Sequence, residues 1–314
     1  MDLVTLHDIR AAASRIAGRV VRTPLLPTGW DPELWLKPES LQPVGSFKLR
    51  GATNAVARLT EAQRARGVVT HSSGNHGQAL AYAARAARVP CTVVIPEGAP
   101  AIKIEQVRTL GAEVLLVPPA ERLSTAERIV AERGRTLIPP YDDRQVIAGQ
   151  GTIGLEIVED LPEVDVVLVP VGGGGLSSGV ATAIKALSPS TRVYGAEPAY
   201  AADAQESLAT GELVVWDLAR THRTSADGLR TSLAELTLAH LREHLDGIVT
   251  VTEDEIAAAT AHLVRRARLV VEPSGAVATA ARLFRPAELP PGRTVAVISG
   301  GNVDPAVLAA AAIA

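Results

Sequence analysis

Three glycine-rich turns, each at the end of a short apolar run, constrain this chain more than any other feature of its sequence. The first is His71-Ser72-Ser73-Gly74-Asn75-His76-Gly77. The second runs from Val171 through Gly172, Gly173, Gly174 and Gly175 to Leu176-Ser177-Ser178-Gly179. The third is Ser299-Gly300-Gly301-Asn302. Each stands where strand-end amides and a helix N-terminus can meet an anion, and glycine lets the backbone approach closely. One such turn is an ordinary strand-to-helix connection; three at the same end of expected strands imply a shared ligand site.

The segments between the turns set the fold class. Val68–Thr70, Cys91–Ile95, Glu113–Val117 and Thr136–Ile138 read as buried strands, with helices over Gln78–Arg88, Lys103–Leu110 and Leu123–Glu132. Asp165–Val169, Val193–Ala196, Ile248–Val251 and Thr294–Ile298 repeat the pattern, with helices over Leu176–Leu187, Glu253–Arg266 and Ser274–Leu283. Apolar strands joined through helices imply parallel sheets covered on both faces. The expectation is an α/β protein with two doubly wound parallel-sheet domains: a large one from 1–57 and 145–314, and a small one, 67–142, inserted in it. Ligands of such folds sit at the carboxyl ends of the strands.

Composition narrows the function. Of 314 residues, 47% are hydrophobic and 21% charged, so a sizeable core is available. The net charge of −3 brings no basic stripe, which argues against nucleic acid. Cys91 is the only cysteine, excluding an internal disulfide or a thiolate zinc site. No run of about 18 apolar residues spans a membrane, and Met1–Arg10 lacks the basic start and apolar run of a signal peptide. A soluble cytoplasmic protein is expected. Gly172–Ser177 fits the glycine part of a dinucleotide fingerprint, but Glu197, followed by proline and a polar loop, does not supply its acidic partner in a convincing context.

Ser46-Phe47-Lys48-Leu49-Arg50-Gly51-Ala52 changes the reading. On physics alone Lys48 is a solvated lysine at a helix start. In order with Ser72–Gly77, Gly172–Gly175, Glu197-Pro198 and Ser299–Asn302, however, the segment resembles the Schiff-base lysine motif of the fold-type II pyridoxal-phosphate enzymes, of the tryptophan synthase β type. Ala148–Thr152 and Ala226–Arg230 make the chain similar to the threonine/serine dehydratase and serine racemase group. Val44 departs from the threonine usual there.

The resemblance implies pyridoxal 5'-phosphate as cofactor, with Lys48 carrying it and acting as base at Cα. It gives Gly172, Gly173, Gly174 and Gly175 the phosphate, Phe47 the pyridine ring, Asn75 the phenolic oxygen and Ser299 the pyridine nitrogen. A hydroxyl at that nitrogen leaves the ring a weaker electron sink, favouring loss of a β-hydroxyl over transamination. Ser72, Ser73, Asn75 and His76 are the implied substrate contacts. Ser73 is also the implied proton donor on the face opposite Lys48. The expected reaction is β-elimination from L-threonine or L-serine to 2-oxobutanoate or pyruvate plus ammonia. Serine racemisation and dehydration of 3-hydroxyaspartate are the alternatives within the group, and a cofactor-free protein keeping only the fold is the alternative outside it.

Glu197 and Asp203, six residues apart, read on spacing alone as a solvated loop. The resemblance makes Glu197, Ala201 and Asp203 ligands of a divalent cation, magnesium, manganese or calcium, which suit hard oxygen donors. It also implies a homodimer and the short catabolic form without isoleucine control. Leu110 stands where animal racemases stack a tyrosine on a nucleotide, so nucleotide activation is not expected.

Overall fold

The computed structural model describes residues 2–72, 74–99 and 101–314, apart from the side chain of Ile102. The chain opens with α1 (Leu6–Ile16), β1 (Leu26–Pro27), β2 (Leu34–Pro38), α2 (Lys48–Ala57) and α3 (Glu61–Arg66). Then come β3 (Val68–His71), α4 (Asn75–Ala86), β4 (Cys91–Pro96), α5 (Ala101–Thr109), β5 (Glu113–Val117), α6 (Arg122–Arg133) and β6 (Thr136–Leu137). The chain continues with α7 (Arg144–Asp160), β7 (Val166–Pro170), α8 (Gly175–Leu187), β8 (Arg192–Pro198), α9 (Asp203–Thr210), α10 (Leu218–Thr221) and α11 (Glu235–His244). It ends with β9 (Gly247–Val251), α12 (Glu253–His262), α13 (Pro273–Phe284), β10 (Thr294–Ile298) and α14 (Pro305–Ile313).

Two sheets form. The larger has the order β1-β2-β10-β7-β8-β9, parallel except for β1, and the smaller has the order β5-β4-β3-β6, parallel throughout. The α/β architecture with parallel sheets in two domains is thus observed. Strand alternation sorts the large core into two layers. Val166, Leu168, Ala296 and Ile298 pack on α12 and α13, while Val167, Val169, Val295 and Val297 pack on α7 and α8. Among the described residues no helix is long and apolar enough to cross a membrane.

Helix α2 is the seam between the sheets. Leu49, Ala52, Ala55 and Val56 join the core that also holds Val68 and Val93 of the small sheet. Arg50, fully buried, points the other way. Its guanidinium meets Glu39 at 2.8 Å through Nε and again at 2.8 Å through Nη2. It meets Glu156 of α7 at 2.6 and 2.9 Å, and Glu156 also takes Lys37 Nζ at 2.6 Å. Two buried cations and two buried carboxylates thereby tie α2 to β2 and α7. Close helix packing adds to this: a Cβ on Gly149 of α7 would lie 2.6 Å from Gly51 Cα.

Cys91 is buried, and burial pushes its thiol up to about 12.

Candidate active site

The three glycine turns and the lysine motif converge on one cavity of about 300 Å³ at the carboxyl ends of β3, β7 and β10, within the range of small-ligand sites. Lys48 opens α2 and reaches across it, Nζ 2.7 Å from the Pro140 carbonyl oxygen and 5.0 Å from the Phe47 ring centre. Burial pushes its ammonium down to about 8, because the low-dielectric wall disfavours the charged form.

Gly172–Gly175 form the wall where α8 begins. Gly174 has φ +84°, a left-handed conformation suited to glycine. The loop is gripped on both sides. A Cβ on Gly173 would stand 2.4 Å from Cδ1 of Tyr141, and one on Gly172 3.0 Å from the Leu229 backbone. The glycines are therefore demanded by packing as well as by any ligand. Amide groups at a helix N-terminus favour an anion.

The lysine motif and the third turn meet at the cavity. Ser46 bridges Gly300 in antiparallel fashion, Phe47 N donates to Ser299 O at 3.0 Å, and Gly301 N donates to Gly45 O at 2.8 Å. Ser299 lines the pocket, its Oγ 3.4 Å from Ser274 O. Asn75 and His76 belong to the first turn of α4, which starts three residues before the Gln78 expected from sequence. His76 is buried with Nε2 2.9 Å from Ile138 O; a carbonyl only accepts, so Nε2 carries a hydrogen. Burial and the nearby Lys48 charge push the ring down to about 3. Ser72 lines the cavity and accepts from Gly74 N at 3.3 Å. Ser73 lies outside the described residues.

Tyr141, Glu272, Arg122, His71 and Lys103 are among the pocket residues that have no role in the sequence reading. Tyr141 backs the glycine loop. Glu272 is buried, accepts from Asn75 Nδ2 at 2.7 Å, and is pushed up to about 8 by burial, with the Asp227 charge adding. Arg122 and His71 stand together on the small-domain wall, where burial and then the Arg122 charge lower the His71 imidazolium. Lys103 joins that wall and pairs with Asp227 at 2.9 Å. Tyr141 follows Pro139-Pro140, a signal that could have marked it, and His71 opens the first glycine turn; the other three carry none.

Glu197, Ala201 and Asp203 gather away from this cavity, at the end of β8 and the start of α9. Glu197 accepts from Ala204 N at 3.2 Å and Gln205 N at 2.8 Å. Asp203 Oδ2 is buried without a hydrogen-bond partner. Among the described residues no group of three or more His, Cys, Asp or Glu side chains is placed so that it could hold a metal ion.

Comparison with known proteins agrees with the geometry. The chain is 42% identical to a serine racemase of Dictyostelium discoideum, over 97% of this chain and 96% of that one. It is 39% identical to an L-threo-3-hydroxyaspartate ammonia-lyase of Saccharomyces cerevisiae, over 97% and 95%. The crystal structure of a threonine deaminase from T.th. superposes with a TM-score of 0.89 at 45% identity, over 96% of this chain and 99% of that one. The family profile described as pyridoxal-phosphate dependent enzyme matches residues 16–300, and the chain belongs to that family.

Proposed function

We propose that the protein eliminates water and ammonia from a small β-hydroxy amino acid, L-threonine or L-serine, giving 2-oxobutanoate or pyruvate. The observation that carries this reading is the convergence of a buried lysine amine with the Gly172–Gly175 amides in one cavity. The residues fit the cofactor: the glycine loop leaves open backbone at a helix N-terminus, and Lys48 lies across from it. Bound pyridoxal phosphate supplies the electron sink that makes the Cα proton acidic. Lys48 holds the cofactor and, as a neutral amine, takes that proton. The Gly172–Gly175 amides hold the phosphate, and Phe47, Asn75 and Ser299 face the ring. Ser72, Asn75 and His76 line the part of the pocket open to the substrate carboxylate, and His76 stays uncharged while doing so. Residues 67–142 form the small domain and 1–57 with 145–314 the large one, with α2 as the seam; the assembly is a homodimer.

A divalent cation at Glu197, Ala201 and Asp203 belongs to the same reading. The partnerless buried Oδ2 of Asp203 fits a cation site, since a buried oxygen without a donor is costly.

A second reading is favoured by Arg122, a guanidinium on the pocket wall, where Lys103 is already paired with Asp227 and burial lowers the His71 imidazolium. A guanidinium in that place suits a substrate with a second carboxylate, as 3-hydroxyaspartate has. The test is a panel of L-threonine, L-serine and 3-hydroxyaspartate, with 2-oxo acid, ammonia and chiral amino-acid readouts. A 2-oxo acid from any of the three supports the lyase; D-serine formed faster than pyruvate replaces it with the racemase. Silence on every substrate, with no visible absorption from bound cofactor, leaves only the fold.

A further inference from the structure

Two amides and a carboxyl meet where the lysine motif touches the third glycine turn. The Val44 carbonyl oxygen can only accept, so the atom of Asn302 facing it at 2.8 Å is Nδ2. The same Nδ2 lies 2.7 Å from the Asn75 amide, whose facing atom must accept and is therefore Oδ1. Asn75 Nδ2 is thereby turned to Glu272, 2.7 Å from Oε1. One of its hydrogens is engaged there, and the second remains for the cavity that Asn75 lines. Gly45, with φ +70°, makes the arrangement possible: a Cβ there would stand 2.6 Å from Asn302 Oδ1.

We propose that Asn302 and Glu272 are positioning residues that fix which face of the Asn75 amide meets the cofactor, with the Val44 carbonyl as the anchor of the relay. The inference rests on the cofactor reading above. A terminal amide has two nearly isosteric orientations. Turning Asn75 over would set its Nδ2 against Asn302 Nδ2, two donors with no acceptor between them. The relay also crosses the seam, since Asn75 rides on the small domain while Asn302 and Glu272 belong to the large one.

The test is titration of pyridoxal phosphate into cofactor-stripped wild type, Asn75→Ala, Asn302→Ala and the double variant, reading the dissociation constant and the position of the visible band. If Asn302 acts through Asn75, each single change weakens binding about tenfold and the double is no worse than Asn75→Ala alone. Asn302→Asp, equal in size but without a donor, is expected to shift the band and weaken binding likewise. Glu272→Gln, which keeps an acceptor, restores most of what Glu272→Ala loses. Melting of each stripped protein separates misfolding from misplacement; if Asn302→Ala does not melt cooperatively, Asn302→Asp takes its place in the cycle. Additive effects, or an unchanged band and dissociation constant in both folded Asn302 variants, overturn the relay. A wild type that binds the cofactor beside an additive cycle overturns this inference alone, whereas a wild type that binds none overturns the functional reading with it.

Discussion

Lys48 Nζ and the Pro140 carbonyl oxygen are 2.7 Å apart, so the amine at the start of α2 is held against the segment that leaves the small sheet. Burial brings its ammonium down to about 8. Only the neutral amine can attack an aldehyde. Recombination of stripped protein with pyridoxal phosphate should therefore quicken about tenfold per pH unit below that value and level off above it. Lys48→Ala should never develop the visible band. Stopped-flow absorbance checks both, and a rate flat between pH 6 and about 8 contradicts the burial argument.

Gly173→Ala should weaken cofactor binding at least about tenfold, because its Cβ would meet the Tyr141 ring at 2.4 Å. Adding Tyr141→Ala makes room and should recover part of the loss. If the double variant binds no better than Gly173→Ala, the ring is not what excludes a side chain there.

Arg50→Met leaves Glu39 in the core without its guanidinium and Glu156 with Lys37 alone. Removing one member of a buried pair costs about 3–5 kcal/mol, and denaturant unfolding should show it. Replacing Arg50 by Lys should recover only part, since a point charge cannot make paired contacts to two carboxylates. A loss below about 1 kcal/mol, the scale of an exposed pair, would count against the network.

Arg122→Gln separates the substrate readings. If a second carboxylate meets Arg122, kcat/KM for 3-hydroxyaspartate should fall about 10- to 100-fold more than for L-serine, the scale of one charge-assisted hydrogen bond. Equal losses on both substrates remove the dicarboxylate reading.

Chelation should lower the melting temperature of the wild type, with magnesium, manganese or calcium restoring it, because an ion that binds only the folded chain stabilises it. Asp203→Asn should lose this response. Indifference of the wild type to chelator excludes a cation at Glu197 and Asp203.

Much of the fold is legible because buried parallel strands are continuous apolar runs. Glu113–Val117 and Thr294–Ile298 read from sequence with their observed limits. Helix α7 does not read as a helix. Gly149, Gly151 and Gly154 lower its helical propensity, yet they are there because α2 and α8 pack against it at backbone distance. Strand β2 is hidden by Lys37, a charge that reads as solvated until Glu156 is found beside it. The glycine cradle and Lys48 can be named from local motifs. Glu272, Arg122 and Lys103 cannot, since each enters the pocket from a distant part of the chain with no pattern around it.

The place of β10 between β2 and β7 has a bearing on how the molecule comes into being. The last strand of the chain is the one that joins the first parallel strand to the rest of the large sheet. The small sheet, drawn from one continuous stretch, has all its strands available long before. During synthesis the cleft therefore stays half-built until β10 emerges from the ribosome, and Phe47 cannot pair with Ser299 earlier. Stable cofactor capture is therefore expected only once residues 294–302 have been made.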